Sequence, residues 1–109
     1  MSQYLLIESK GPLDGGDYSF ELARQLGEGG HNVSIYLVQD GVLAARRRFD
    51  AGEKLVAGAT AEKVPLLADE VSLRQRGITH ERLAEAVRVS TMDELVDLVM
   101  EKNDKAIWH

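Results

Sequence analysis

Three polar residues, Ser9, Asp40 and Asp69, lie at or just after the end of a predicted strand of this sequence. The carboxyl ends of parallel strands share one edge of a sheet, and ligands of such sheets bind beyond that edge. We therefore predict a ligand-binding crevice at these residues, extended by Ser72 and Arg76 in the helix predicted after Asp69. The two carboxylates could perform acid–base chemistry. However, aspartate after a strand more often forms a turn or caps a helix, and capping is the stronger interpretation.

Arg46, Arg47 and Arg48 form the one concentrated basic run of the chain. Such a run usually lies on a solvated helix face. A local patch opposite in sign to the rest of the protein can also steer an encounter. The run is therefore a candidate contact for an anion or a partner protein.

The glycine-rich segment 11–16 follows the first predicted strand, where phosphate-binding loops occur. It has neither a Gly-Lys-Ser/Thr ending nor a Gly-x-Gly-x-x-Gly pattern, and Asp14 and Asp17 add negative charge where a phosphate would lie. A turn is the better interpretation, so we expect no nucleotide cofactor.

The histidines and serines also match no known catalytic or metal motif. His80 and Glu81 begin a zinc-protease pattern, but the position of its second histidine is Ala84. Ser9 and His31 are expected at opposite edges of the sheet, which argues against a Ser-His-Asp triad. We therefore predict no catalytic residue, no metal site and no cofactor.

Composition narrows the class of protein further. The chain has 109 residues, enough for one domain over 1–109, and a net charge of −5 that opposes binding to nucleic acid. It has no cysteine, which excludes disulfides and thiolate chemistry. It shows no signal peptide and no apolar run of membrane-spanning length, so we expect a cytoplasmic protein without membrane contact.

The elements that must position these residues alternate between strand and helix. Asp69 is predicted to cap one helix, and a Thr-x-x-Glu capping box at Thr91 opens another. This alternation predicts an α/β fold, a three-layer α/β/α arrangement with a mostly parallel sheet of about five strands. Residues 50–60 have no firm periodicity and receive no element. The predicted strands are 4–9, 32–38, 63–68, 88–90 and 105–108, and the other predicted helices are 18–26, 42–49 and 79–87.

The order of these pieces resembles the DsrE/DsrF-like family of small sulfur-relay proteins, which includes DsrE, DsrF, DsrH and the Tus subunits. The similarity extends over nearly the whole chain, and its most useful part is the Arg-Gly-Ile sequence at 76–78. The segments that carry it are Gly-His-Asn-Val at 30–33, Ile-Tyr-Leu at 35–37, Asp-Gly-Val at 40–42, Ser-Leu-Arg-Gln-Arg-Gly-Ile at 72–78 and Ile-Trp at 107–108.

The resemblance implies a position for the sulfur-carrying cysteine of the family. That position is Asp69 here, and a second cysteine of some members would fall near Ser72. Neither a carboxylate nor an unactivated hydroxyl can form a persulfide. The resemblance therefore implies a non-catalytic structural or binding subunit associated with sulfur metabolism.

The resemblance also implies a homo-oligomer, a trimer or hexamer, with sulfur-metabolism proteins as possible partners. Two other functions stay open at this stage. The crevice near Ser9, Asp40 and Asp69 could bind a small ligand or act as an enzyme, and the chain could be a plain protein-interaction module.

Overall fold

The computed structural model describes residues 2–109, which form a five-stranded sheet with helices on both sides. Every strand pair is parallel, and the strand order is β4-β3-β2-β1-β5. The α/β prediction is confirmed, with an entirely parallel sheet. The strands are β1 (Gln3–Glu8), β2 (Asn32–Leu37), β3 (Leu66–Asp69), β4 (Val87–Ser90) and β5 (Lys105–Trp108).

Two hydrophobic clusters cover the two faces of the sheet, because successive strand side chains alternate between faces. The α-helices are α1 (Asp17–Glu28), α2 (Asp50–Ala61), α3 (Glu70–Gln75) and α4 (Met92–Asp97), which continues as a π-helical turn over Leu98–Lys102. The larger cluster includes Leu6 and Ile35 and lies under α1 and α2. The smaller cluster includes Leu5 and Tyr36 and lies under α4.

The predicted helix over 42–49 is wrong, and the unassigned stretch after it is the helix α2. A 3₁₀ segment occupies Gln39–Ala45 instead. A Cβ atom at Gly52 would lie only 2.5 Å from the Ala44 carbonyl oxygen, so this glycine lets α2 pack against the 3₁₀ segment. Gly52 interrupts the helical pattern of the sequence because the absence of a side chain there allows α2 to contact the 3₁₀ segment closely.

The predicted helix over 79–87 is also wrong. Only His80–Arg82 forms a 3₁₀ turn, after which Leu83 is extended and residues 85 and 86 form a turn that leads into β4. The Ala84 amide donates to the Ala45 carbonyl at 2.8 Å, and the Arg47 amide donates to the Arg82 carbonyl at 2.7 Å. In an α-helix the Ala84 amide and the Arg82 carbonyl would bond within the segment. Here both groups bond to the 45–47 region instead.

Candidate functional site

Asp69 ends β3 and caps α3, as predicted. Its Oδ2 accepts hydrogen bonds from the Ser72 amide at 3.0 Å and from the Ser72 hydroxyl at 2.8 Å. The side chain is buried, with Asp69 only 4% exposed, and within residues 2–109 its Oδ1 has no hydrogen-bond partner. The carboxylate thus holds the first turn of α3 against the carboxyl end of β3.

Ser72 connects this cap to the end of β2. The Gln39 amide donates to the Ser72 hydroxyl oxygen at 2.8 Å. Gln39 has a φ of 51°, a left-handed conformation that non-glycine residues adopt at a cost. The bond to Ser72 helps to hold that turn, through which the chain leaves the sheet after β2.

Asp40 and Arg76 form an ion pair beside this turn. Arg76 Nε lies 3.0 Å and Arg76 Nη2 lies 2.9 Å from Asp40 Oδ1, and Arg76 Nη1 donates to the Ser72 carbonyl at 3.2 Å. The structure therefore joins four of the five predicted crevice residues in one set of contacts. Asp40 and Asp69 bond to different partners, so they do not act as one carboxylate pair.

Ser9 lies at the same edge but bonds in the other direction along the sheet. Its amide and its hydroxyl both donate to the His109 carbonyl at 2.9 Å. Because β5 is the neighbour of β1, Ser9 belongs to that pair of strands and not to the Asp40 and Asp69 contacts.

Glu8, at the end of β1, is a fully buried carboxylate that was not predicted as a site residue. The Ser19 hydroxyl donates to its Oε1 at 2.7 Å, and the Lys10 amide donates to its Oε2 at 2.9 Å. His109 Nδ1 lies 2.9 Å from Oε1 and 3.1 Å from Oε2. An acidic residue that ends an otherwise apolar strand is the sequence signal that would have suggested such a buried cluster.

A glycine makes room for this cluster. A Cβ atom at Gly41 would lie 2.1 Å from the Glu8 carbonyl oxygen, so a larger residue would push the 3₁₀ segment away from β1. On the outer side, the rings of Tyr18 and His109 stack with their centroids 4.4 Å apart. The carboxyl edge thus consists of two adjoining sets of polar contacts, one around Glu8 and one around Asp69.

His31 lies at the opposite edge, as predicted, directly before β2. The Ser2 amide lies within hydrogen-bond distance of its Nδ1, at 3.3 Å. Over residues 2–109, no three His, Asp or Glu side chains come together as a candidate metal site. The histidines His31 and His109 thus make separate structural contacts at the two edges of the sheet.

Tyr36 lies under α4, and its hydroxyl donates to the Thr91 carbonyl at 2.9 Å. Burial raises the pKa of the Tyr36 hydroxyl, and the negative charges of Asp69 and Glu94 raise it further, against a lowering hydrogen bond with Ser90. Glu94 also pairs with Arg88, whose hydrogen bond holds the pKa of Glu94 below its usual range.

The arginine run does not lie on a helix face, contrary to the usual arrangement. Arg46 pairs with Leu83 in an isolated antiparallel bridge, and Arg47 Nε donates to the Leu83 carbonyl at 2.8 Å. All three arginines, including Arg48, are exposed. The run is therefore a surface strip fixed to the segment that follows the 3₁₀ turn at 80–82.

Each helix within residues 2–109 is too short or too polar to cross a lipid bilayer.

The sequence model of the DsrH-like proteins matches residues 20–105. Among curated protein sequences, none matches this chain.

Two solved structures share the fold over the full length of both chains. The ychN protein from E. coli superimposes with a TM-score of 0.89 at 22% sequence identity. The MTH1491 protein from Methanobacterium thermoautotrophicum, described as a protein of unknown function, superimposes with a TM-score of 0.82 at 21% identity. At these identities the likeness shows the fold alone.

Proposed function

Since the chain belongs to the DsrH-like protein family, we propose that it is a non-catalytic binding subunit of a cytoplasmic sulfur-relay system. In this proposal it contacts the proteins that carry sulfur but holds no persulfide itself. Relay transfer passes a sulfane sulfur from one thiolate to another, and this chain contains no cysteine. Its methionines are thioethers, which form no thiolate.

The observation that carries the proposal is the use of Asp69. By resemblance, this residue stands where relay proteins place their carrier cysteine. Here its carboxylate caps α3 through two bonds to Ser72 and is almost fully buried. Both candidate carrier positions are thus committed to holding the end of β3 against α3.

The proposal includes self-assembly into a homo-oligomer, a trimer or hexamer. A domain of this size buries a limited share of its apolar surface, and association extends the core. Met92, Val96 and Met100 on the outer side of the α4 segment are all exposed, as is Trp108 on β5. Exposed apolar side chains grouped in this way are typical of protein contact sites.

A sulfur-transfer experiment tests this function. The purified protein is mixed with a cysteine-bearing relay protein of the DsrE type that has been loaded with sulfane sulfur, and both complex formation and intact mass are measured. We expect a complex without any gain of sulfur mass on this chain. The variant Val71→Cys, which puts a thiol at an exposed position two residues after Asp69, is the matched control that should gain sulfur.

Two results would contradict the proposal. Sulfur bound to the wild-type chain in a form that a reductant removes would show that it is a carrier. Failure to bind any sulfur-loaded relay protein, while Val71→Cys still reacts with a small persulfide donor, would show that it is not a relay subunit.

A further inference from the structure

The helix α4 and its π-helical continuation are apolar on two sides. Leu95 is buried in the smaller cluster, and Leu98 and Val99 pack against it. On the outer side Met92, Val96 and Met100 recur every four residues and are 53%, 52% and 75% exposed. We call these three side chains the α4 stripe. A stripe with this spacing is what an amphipathic helix presents to a groove of a partner.

Acidic residues flank the α4 stripe. Asp93, Asp97 and Glu101 each follow a stripe residue in sequence and are exposed. The segment 92–102 contains four acidic residues and one lysine. A surface that receives this helix should therefore combine an apolar floor with a basic margin.

Such a surface exists on the other face of the sheet, at its β4 edge. A groove of about 280 Å³ lies between α3, β4 and the chain around the 80–82 turn, and we call it the β4 groove. Its apolar lining consists of Leu73, Ile78, Leu83 and Val89. Val89 on the edge strand β4 is 44% exposed, so part of the apolar lining of the groove is open to solvent.

The surroundings of the β4 groove are mainly basic. One acidic and one basic side chain, Glu70 and Arg74, line the groove itself. The arginine run at 46–48 is fixed to its Leu83 wall through the bridge to Arg46 and the bond from Arg47. Arg82 precedes Leu83 in the same wall. Three acidic residues, Glu70, Glu81 and Glu85, belong to these segments, against five arginines.

We propose that the α4 stripe of one copy of this chain docks in the β4 groove of a second copy. The apolar stripe matches the apolar lining, and the acidic flank of α4 matches the arginines beside the groove. Both halves of the complementary pair occur on the same chain, which favours a second copy over a different protein as the occupant.

The two surfaces lie on different faces of the sheet, so the contact is heterologous. A copy that uses its stripe keeps its own groove open for another copy, and such contacts generate a ring when the rotation closes. This inference rests on the self-assembly included in the proposed function. It adds the surfaces that make the contact and their head-to-tail direction.

A mixing experiment tests the head-to-tail direction. Val96→Glu puts a charge into the apolar centre of the α4 stripe, and Val89→Glu puts a charge of the same sign into the β4 groove, so the two altered surfaces also repel each other. We expect each variant to be monomeric by light scattering at a concentration where the wild type is assembled, with its dissociation constant raised at least tenfold. An equimolar mixture keeps one intact stripe and one intact groove, so it should form a dimer of twice the monomer mass and nothing larger.

The control is Leu13→Glu, a change at an exposed apolar residue outside both surfaces, and this variant should assemble like the wild type. If circular dichroism shows that either variant is unfolded, the pair Met100→Glu in the stripe and Arg74→Glu in the groove replaces the first pair, with the same expected result on mixing.

The outcomes separate this inference from the proposed function. The docking of α4 would be overturned if both variants assembled like the wild type, or if they stayed monomeric on mixing. Either result would leave self-assembly in place. A wild type that stays monomeric at submillimolar concentration would overturn both. The sulfur-transfer result does not depend on either outcome.

Discussion

The Glu8 carboxylate lies 2.9 Å from Nδ1 of His109, although 101 residues separate them in sequence. The contact is possible because β5 inserts beside β1 at the edge of the sheet. Glu8 is fully buried and accepts bonds from Ser19 and Lys10 as well. This cluster therefore fixes the end of β5, the start of α1 and the loop after β1 to one side chain.

Replacing Glu8 by glutamine should destabilise the fold. An NH2 group, which donates and cannot accept, replaces one of the two carboxylate oxygens, so a single oxygen is left as acceptor for the Lys10 amide, the Ser19 hydroxyl and His109. We expect a loss of about 1–3 kcal/mol in the free energy of unfolding, measured by urea denaturation. The exposed change Glu85→Gln is the control, and an equal effect of both variants would contradict the role of the cluster.

Asp69→Ala should cost about 1 kcal/mol of stability, because the Ser72 amide at the start of α3 loses its acceptor. Asp69→Asn should cost less, since asparagine is also an effective cap. Thermal unfolding of the two variants beside the wild type measures the difference. An alanine variant as stable as the asparagine variant would show that the cap contributes nothing.

The raised pKa of Tyr36 predicts that the stability of the fold decreases at alkaline pH. The pKa of Tyr36 is raised in the folded protein, so above pH about 10 the unfolded chain releases the phenol proton while the folded chain keeps it. This contribution to stability is fully present below pH about 10 and is lost as the pH rises through the folded pKa. The free energy of unfolding should therefore fall less steeply above pH about 10 for Tyr36→Phe than for the wild type.

The half-exposed Tyr18 supplies the control for that measurement. Urea denaturation at pH about 8 and pH about 11 should give Tyr18→Phe the same loss as the wild type. If Tyr36→Phe also loses as much as the wild type, burial of Tyr36 does not govern the alkaline response.

Two glycines of α2 should respond oppositely to alanine. A Cβ at Gly52 would meet the Ala44 carbonyl oxygen, so Gly52→Ala should destabilise by about 1–3 kcal/mol. A Cβ at Gly58 would meet nothing within 4 Å, and Gly58→Ala should stabilise by about 0.5–1 kcal/mol because alanine favours the helix. Chemical denaturation checks both, and equal shifts would contradict the packing of α2 on the 3₁₀ segment.

The sequence predicted those features that depend on local pattern. The short apolar runs predicted the strands, and Asp69 before a helical segment predicted the cap that the structure shows. The features it missed depend on distant partners. The 79–87 segment is not an α-helix because the Ala84 amide bonds to the Ala45 carbonyl, and the partner of the buried Glu8, His109, comes from the other end of the chain. Gly52 weakened the helical sequence pattern of α2, and the reason for a glycine there is the close contact with Ala44 in the 3₁₀ segment.

The candidate site also contains residues that the sequence placed correctly and one that it did not. The prediction of parallel strands placed Asp40, Asp69, Ser72 and Arg76 near one edge of the sheet, and they do contact one another directly or through Ser72. Ser9 was expected with them because it lies at the end of a predicted strand. It bonds to His109 because the neighbour of β1 on its outer side is the last strand, which the order of elements alone does not reveal.

The position of β5 has a consequence for folding. The strands β1 to β4 pair with neighbours in the order of the sequence, but the outer edge of β1 pairs only with the distant residues 105–108. An unpaired strand edge is a template for pairing with other chains. A chain in which β5 has not yet docked would expose this edge and leave Glu8 without His109, so late docking of β5 is the step at which aggregation is to be expected.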